Sequence, residues 1–237
     1  MEAVLNKLGN QKRQNCIDCF SIALATGRPK LTSIAFEGIQ VILRDNAEFG
    51  SEQHTPEGQS RAEQLISLLF AIPQWELPAN QCQALTVLVQ LLSSTDISIR
   101  LKDVLNGIEI CEQVFYAAAA HANSVRPAAR AALTQSLNSY VQNRLAVSYE
   151  EEAQGEDDLS HTEHIGARMD ITALISELVA RMVGRSTVER ALGNNNENDL
   201  VQKQQPLLLP LDALISILSA LETSILERHR PLFNSIK

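Results

Sequence analysis

Residues 13–43 read RQNCIDCFSIALATGRPKLTSIAFEGIQVIL, and this stretch decides the fold. Apolar side chains recur three and four positions apart on both sides of Gly27, which is the period of a helix with one buried face. The pattern predicts helices over Arg13–Ala25 and Lys30–Leu43, separated by Gly27 and Pro29. A link this short predicts an αα-hairpin. The side chains expected to face the core are Cys16, Ile17, Phe20, Ala23 and Leu24 in the first helix, and Leu31, Ile34, Ala35, Ile39 and Ile42 in the second.

Helical patterns separated by short breaks continue along the rest of the chain. Ser60 followed by Glu63 is a capping box, which predicts a helix from Ser60 to about Ile72, just before a proline. Pro78 suits the first turn of a helix that continues to Leu92. The later predicted helices form a third pair, 98–120 with 127–145, and a fourth pair, 170–183 with 207–226.

Helix pairs therefore recur along the chain at the spacing of armadillo and HEAT arrays, about 40–50 residues. Such pairs stack because one pair cannot bury its apolar face alone. We expect an all-α fold, an armadillo/HEAT-like superhelical stack of antiparallel helix pairs forming one domain over 1–237. Polar tracts predict surface loops at about 46–59, 149–166 and 193–205. A stack of this kind presents long grooves, which favours protein partners over small molecules.

The composition is that of a globular helical protein. Apolar residues make up 45% of the 237 residues and aromatic residues only 4%, so aliphatic side chains must supply the packing. The net charge of −8 argues against a nucleic-acid binder, which needs a basic patch. The first nine residues lack the apolar segment of a secretory signal. The longest apolar run, Leu207–Leu221, is interrupted and too short to span a bilayer, so we expect a cytosolic protein.

Two clusters resemble metal-binding, redox or catalytic sites, and for both of them a structural role without chemistry is the favoured interpretation. Cys16 and Cys19 have the spacing of half a zinc site or of a redox pair, but no second pair lies at finger spacing and no strand precedes them. Together with Cys82 and Cys111 they are interpreted as buried free thiols in a reducing compartment. The segment His161–His164 holds two imidazoles beside an acidic tract and is interpreted as solvated loop. No phosphate-binding loop or nucleophile elbow is found, so we expect no catalysis, cofactor or metal.

Contacts with other proteins are expected on two surfaces. Arg126 and Arg130 lie one turn apart on one predicted helix, with Arg144 further along. They could meet an acidic groove, although ordinary surface charge is the favoured interpretation. Trp75 is either an exposed binding aromatic or a cover over the core. The final residues begin a new apolar pattern that needs a covering surface. The candidate partner-binding residues are Arg126, Arg130, Gln135, Leu232, Phe233 and Ile236.

Four stretches give the chain a resemblance to a known family. They are Ala23–Leu24 with Lys30–Leu31 and Ile39–Leu43, then Gln83–Leu92, Val104–Cys111 and Ala129–Leu137. In this order the chain resembles the N-terminal dimerisation and cyclophilin-binding (DCB) domain of the large Arf guanine-nucleotide exchange factors. Residues 207–233 are similar to the closing helices of the brefeldin A-inhibited exchange protein 3 group of that family. Ala132 and Ser136 depart from the family pattern, which has Thr or Ser and then Met at those positions.

The resemblance implies a regulatory module without exchange chemistry, because the family's exchange domain lies outside these residues. It implies self-association as a homodimer, packing against the following homology-upstream region, and recruitment by an Arf-like small GTPase. Such a module is cytoplasmic and reaches trans-Golgi and endosomal membranes indirectly, in vesicle traffic. Two alternatives remain: an armadillo-type adaptor for an unrelated complex, and an enzyme that uses the His161–His164 cluster.

Overall fold

The computed structural model describes residues 2–44, 60–70, 77–95, 97–117, 124–154, 169–183 and 209–222. These residues form eight helices and no strand, which confirms the all-α prediction. The first six helices are α1 (Glu2–Ala25), α2 (Pro29–Arg44), α3 (Arg61–Leu69), α4 (Pro78–Leu92), α5 (Leu101–Ala117) and α6 (Val125–Gln154). Helical residues 169–183 are named α7 and helical residues 209–222 are named α8. None of the helices in these ranges is long and apolar enough to cross a membrane.

The chain divides into two compact units, Met1–Ala132 and Leu133–Lys237. Their boundary lies inside α6, whereas the sequence predicts one continuous domain. Buried residues lie on both sides of that boundary, with Val125 and Ala129 in the first unit and Leu137 and Val141 in the second. The apolar periodicity of α6 crosses this boundary without a break, so it carries no sign of the division.

The first unit is built around α2 and α4, which pack against each other. α2 also packs against α1, while α3, α4 and α5 pack pairwise. The sequence instead predicts that α5 pairs mainly with the helix after it. The fully buried side chains of this unit include Phe36, Ile39, Ile66, Leu69, Leu85, Leu88, Leu91, Ile108 and Ile110. Burying each large aliphatic or aromatic side chain stabilises the fold by about 1.5–3 kcal/mol, so this set is the main source of stability.

The predicted αα-hairpin is confirmed. α1 ends at Ala25, and the Thr26 hydroxyl donates to the Ala23 carbonyl at 2.7 Å. Gly27 then adopts a φ of 61°, a left-handed conformation that costs glycine little and other residues more. Pro29 begins α2, since proline has the φ a first helical turn needs. The difference from prediction is that α1 begins at Glu2, well before Arg13.

Local capping signals located some helix ends and missed others. Ser60 caps α3 as predicted, accepting a 3.2 Å hydrogen bond from the Glu63 backbone amide, and α4 spans the predicted Pro78–Leu92. The predicted end of α3 near Ile72 is wrong, because the helix ends at Leu69. The predicted start of α5 at Ser98 is also wrong. The Asp103 carboxylate accepts the Arg100 backbone N–H at 2.9 Å, so Arg100 forms the cap and the helix starts after it.

The predicted loop at 149–166 is wrong for its first residues, because α6 continues to Gln154. Glu, Ala and Gln are good helix formers, and their propensity outweighs the run of like charge at 150–152. The rest of that loop, and the predicted loops at 46–59 and 193–205, lie outside the described residues.

In the second unit, α7 and α8 both contact α6. The Ser216 hydroxyl on α8 donates to Asn138 Oδ1 at 2.8 Å and lies 3.1 Å from the Thr134 carbonyl. Asp170 at the start of α7 lies 3.3 Å from Arg144 Nη2 of α6. α6 therefore makes polar contacts with both later helices. The sequence instead predicts that α7 and α8 pair with each other.

Candidate functional site

The structure describes three residues of the predicted partner-binding set, and they differ in exposure. Arg130 and Gln135 are exposed on α6, the first within the first unit and the second within the other. Arg126 is only half-exposed, and its guanidinium carbon lies 5.7 Å from the centroid of the Phe115 ring. Arg126 therefore already has an aromatic neighbour within its own unit, and its contact with an acidic partner stays a prediction. A guanidinium over an aromatic ring is attracted to the ring by a cation–π interaction, which stabilises the packing of α6 against α5 at this point.

Arg144 is likewise engaged within its own unit. Its Nη2 pairs with the Asp170 carboxylate at 3.3 Å, and its Nε lies 3.4 Å from the Tyr140 hydroxyl. Tyr140 is buried, and burial raises the pKa of its phenol. This cluster joins α6 to α7, so Arg144 contributes to the packing of the second unit.

Several sequence candidates lie outside the described residues. They are Leu232, Phe233 and Ile236 of the C-terminal set, together with Trp75 and the His161–His164 cluster. Two positions at which the chain departs from the DCB pattern, Ala132 and Ser136, are buried, so neither presents its side chain to a partner.

α8 carries an exposed aliphatic stripe. Leu211, Ile215 and Leu218 are 43%, 54% and 58% exposed, and their spacing of four and three residues places them on one face. The opposite face is buried through Leu209, Ala213, Ile217 and Ala220. We name Leu211, Ile215 and Leu218 the α8 stripe. The sequence did not indicate it, because α8 is apolar on nearly every side and its periodicity alone does not identify the outward face.

α2 carries a second exposed aliphatic stripe. Leu31, Ile34 and Val41 are 38%, 62% and 51% exposed, and Gly38 lies between them on the same face. We name Leu31, Ile34, Gly38 and Val41 the α2 stripe. The prediction that Leu31 and Ile34 face the core is wrong, because α2 turns Thr32, Ala35, Phe36 and Ile39 inward. The helix is apolar over a wide arc, and packing against both α1 and α4 selects the buried side.

A network of charged side chains connects the beginnings of α3 and α5. Glu63 receives Lys102 Nζ at 2.7 Å and Arg100 Nη2 at 2.9 Å, and Arg100 also donates to the Ser60 hydroxyl at 3.0 Å. Hydrogen bonds from Lys102 and then Arg100 hold the pKa of the Glu63 carboxyl below its usual value. Glu63, Arg100 and Lys102 pair with one another, so the network fixes the starts of two helices.

The cysteines differ in exposure, which corrects their common interpretation as buried thiols. Cys16 and Cys19 are exposed on α1, and Cys82 is half-buried with its thiol 3.9 Å from the Ser124 carbonyl. Only Cys111 is buried, and desolvation raises its pKa to about 12, so it carries no thiolate at neutral pH. Among the residues that the structure describes, no group of three or more His, Cys, Asp or Glu side chains could hold a metal ion.

The stretches that carry the resemblance to the DCB domain all lie in helices. They fall in the α1–α2 hairpin, α4, α5 and α6, and the further similarity at 207–233 includes α8. Helix order of this kind is compatible with the family but common among all-α proteins, so it does not identify one. Comparison of the chain with protein-family models, curated proteins and solved structures finds no match.

Proposed function

We propose that this chain is a non-catalytic protein-interaction module that self-associates through the α8 stripe. The observation that carries the proposal is the alignment of three exposed aliphatic side chains on one face of a helix whose other face is buried. Exposed apolar surface that is aligned in this way is typical of interaction sites, because covering it removes the side chains from water.

The α8 stripe is complementary to itself. Its spacing matches the core positions of a coiled coil, in which side chains of one helix fit between those of its partner. Around a two-fold axis, Leu211 of one copy lies opposite Leu218 of the other, and Ile215 lies opposite its own equivalent. The exposed Glu222 lies one turn beyond Leu218, past the end of the stripe, so no like charges meet at its centre. A symmetric helix pair is therefore favourable.

Placing a charge at the centre of this stripe tests self-association. Ile215→Lys would bring two ammonium groups together on the two-fold axis, and we expect the dimer dissociation constant to rise roughly tenfold or more. Light scattering over a concentration series measures it, and circular dichroism checks that the variant folds. Ile34→Lys is the matched control, since it makes the same change at an exposed isoleucine of α2. A wild-type chain that is monomeric at every concentration, or an Ile215→Lys variant that dimerises normally, would contradict the proposal.

The resemblance to the DCB domain supports a more specific role. In that role the chain is a regulatory module of a large Arf guanine-nucleotide exchange factor-like protein, acting in vesicle traffic. Its partners would be a second copy, the following homology-upstream region and an Arf-like small GTPase. It would be cytoplasmic and would associate peripherally with trans-Golgi or endosomal membranes through these partners. Arg130 and Gln135 are the fully exposed candidates on α6 for such contacts, and Arg126 is a half-exposed one.

Nucleotide-dependent capture tests this family role. The chain is passed over an immobilised Arf-like GTPase loaded with a non-hydrolysable GTP analogue or with GDP. We expect retention on the GTP-analogue form and little on the GDP form, because recruitment by a switch GTPase depends on its ordered switch regions. Arg130→Glu should reduce retention if α6 forms the contact. Equal retention on both forms, or none on either, would favour the alternative of an armadillo-type adaptor for an unrelated complex.

A further inference from the structure

Two exposed thiols lie next to each other on α1. Cys16 and Cys19 are exposed, unlike the other two cysteines of the chain. Residues three apart are neighbours on the surface of a helix, with their Cβ atoms about 5–6 Å apart. Ile17, which lies between them in sequence, is buried, so α1 turns its core side away from the two thiols. Both sulfurs are therefore accessible to an ion from solvent.

A disulfide between these two cysteines does not fit the helix. The Cβ atoms of a disulfide lie about 3.5–4.5 Å apart, closer than the spacing of neighbours on a helix surface. Both residues lie inside α1, which spans Glu2–Ala25, so closing the bond would distort a turn that continues as helix on both sides. The helix therefore favours two free thiols, and the structure has both cysteines free.

A metal ion held between the two sulfurs does fit this spacing. Two metal–sulfur bonds in line, each of about 2.3 Å as in zinc sites, place the sulfurs roughly 4.6 Å apart. Rotation about χ1 of each cysteine can bring the Sγ atoms to this separation, because their Cβ atoms are about 5–6 Å apart. The ion therefore requires no movement of the helix backbone.

The number and type of ligands select the kind of ion. A structural zinc site needs four ligands, and the described residues hold no group of three or more His, Cys, Asp or Glu side chains that could bind a metal. The adjacent carboxylate, Asp18, accepts a 2.9 Å hydrogen bond from Gln14 and lies roughly 100° around the helix from Cys19. Two thiolates without a third ligand suit a soft ion of low coordination number, and thiolates select Cu(I) among such ions.

We propose that Cys16 and Cys19 bind one Cu(I) ion per chain, with their two thiolates as its ligands. Each thiol gives up its proton on binding, because the thiolate is the form that coordinates a metal. The missing ligands that argue against zinc do not argue against an ion that needs only two. This site lies on α1 and uses no residue of the α8 stripe, so it can fail or succeed independently of self-association.

Competition with a coloured Cu(I) chelator tests the proposal. The full chain, reduced and kept free of oxygen, is titrated into the Cu(I) complex of bicinchoninate, whose absorbance falls as the chain removes the metal. We expect one Cu(I) per chain. Cys16→Ser and Cys19→Ser should each weaken binding at least about a hundredfold, because losing a ligand costs more than losing one of its outer partners. Cys82→Ser removes a half-buried thiol on α4 and is the matched control, with unchanged affinity expected.

A relocated thiol separates the geometry of the site from the number of thiols. Cys19→Ser combined with Ser21→Cys moves one thiol to another exposed position, roughly 140° around the helix from Cys16. Affinity should fall as far as in Cys19→Ser alone, with the helix content by circular dichroism unchanged. The proposal is overturned if the wild type removes no Cu(I), if Cys82→Ser weakens binding as much as Cys16→Ser, if the relocated thiol preserves the affinity, or if two chains share one ion.

Discussion

Replacing Phe36 by alanine is expected to lower the free energy of unfolding of the first unit by about 3–5 kcal/mol, the usual cost of emptying a buried aromatic site. Phe36 is fully buried on the face that α2 turns inward, and α2 packs against both α1 and α4. Close-packed surroundings collapse only partly around the lost ring, so a cavity term adds to the lost burial. Urea unfolding followed by far-UV circular dichroism measures the change in the free energy of unfolding.

Ile34→Ala on the same helix is the control for this measurement. Ile34 is 62% exposed, so its truncation should change the unfolding free energy by no more than about 0.5 kcal/mol. Similar losses for the two variants would show that α2 is turned differently from the structure. That result would also remove the α2 stripe as a surface.

Replacing Gly107 by leucine is expected to destabilise the first unit by about 3 kcal/mol, although leucine is much the better helix former. Gly107 is buried in the interior of α5, and a Cβ there would lie 2.6 Å from Cδ1 of Leu92 on α4. Leu92 is only 2% exposed, so it has little room to move away. Helix propensity alone predicts a gain of about 0.8 kcal/mol, and the sign of the change in unfolding free energy therefore separates the two effects.

Gly38→Leu is the matched control, because it makes the same change in another helix at the same 2.6 Å clearance. The neighbour there is the half-buried Phe20 ring, which can swing toward solvent, so the expected loss is below about 1 kcal/mol. Adding Leu92→Ala to Gly107→Leu should cost less than the sum of the two single changes, since the new side chain fills the space that Leu92 vacates. Additive losses would argue against contact between α4 and α5 at this point.

Helix ends were predictable where a single residue acts on the backbone within one turn of itself. Gly27 and Pro29 define the α1–α2 link, Ser60 caps α3, and Pro78 begins α4, all as the sequence indicates. Helix ends were not predictable where helix propensity and charge repulsion favour different structures. The like charges at 150–152 suggested a loop, but helix propensity prevails and α6 continues to Gln154.

The candidate surfaces were less predictable than the helices. Leu31 and Ile34 were expected in the core because apolar residues cover a wide arc of α2, and the same breadth concealed the α8 stripe. Arg126 was expected at the surface because its position beside Phe115 depends on a residue in another helix. The C-terminal candidates Leu232, Phe233 and Ile236 lie outside the described residues, so their role remains a prediction.

The sequence by itself determined that the described chain is helical and where several helices begin, because hydrogen bonds between residues four apart and capping groups act over one turn. Only the tertiary structure decided which arc of each apolar helix is buried, since that choice depends on neighbours distant in sequence. It turns Phe36 inward and Ile34 outward, exposes Cys16 and buries Cys111. The ion pair between Glu63 and Lys102 likewise depends on tertiary structure. The packing of α3 on α5 brings together two charges that are far apart in sequence.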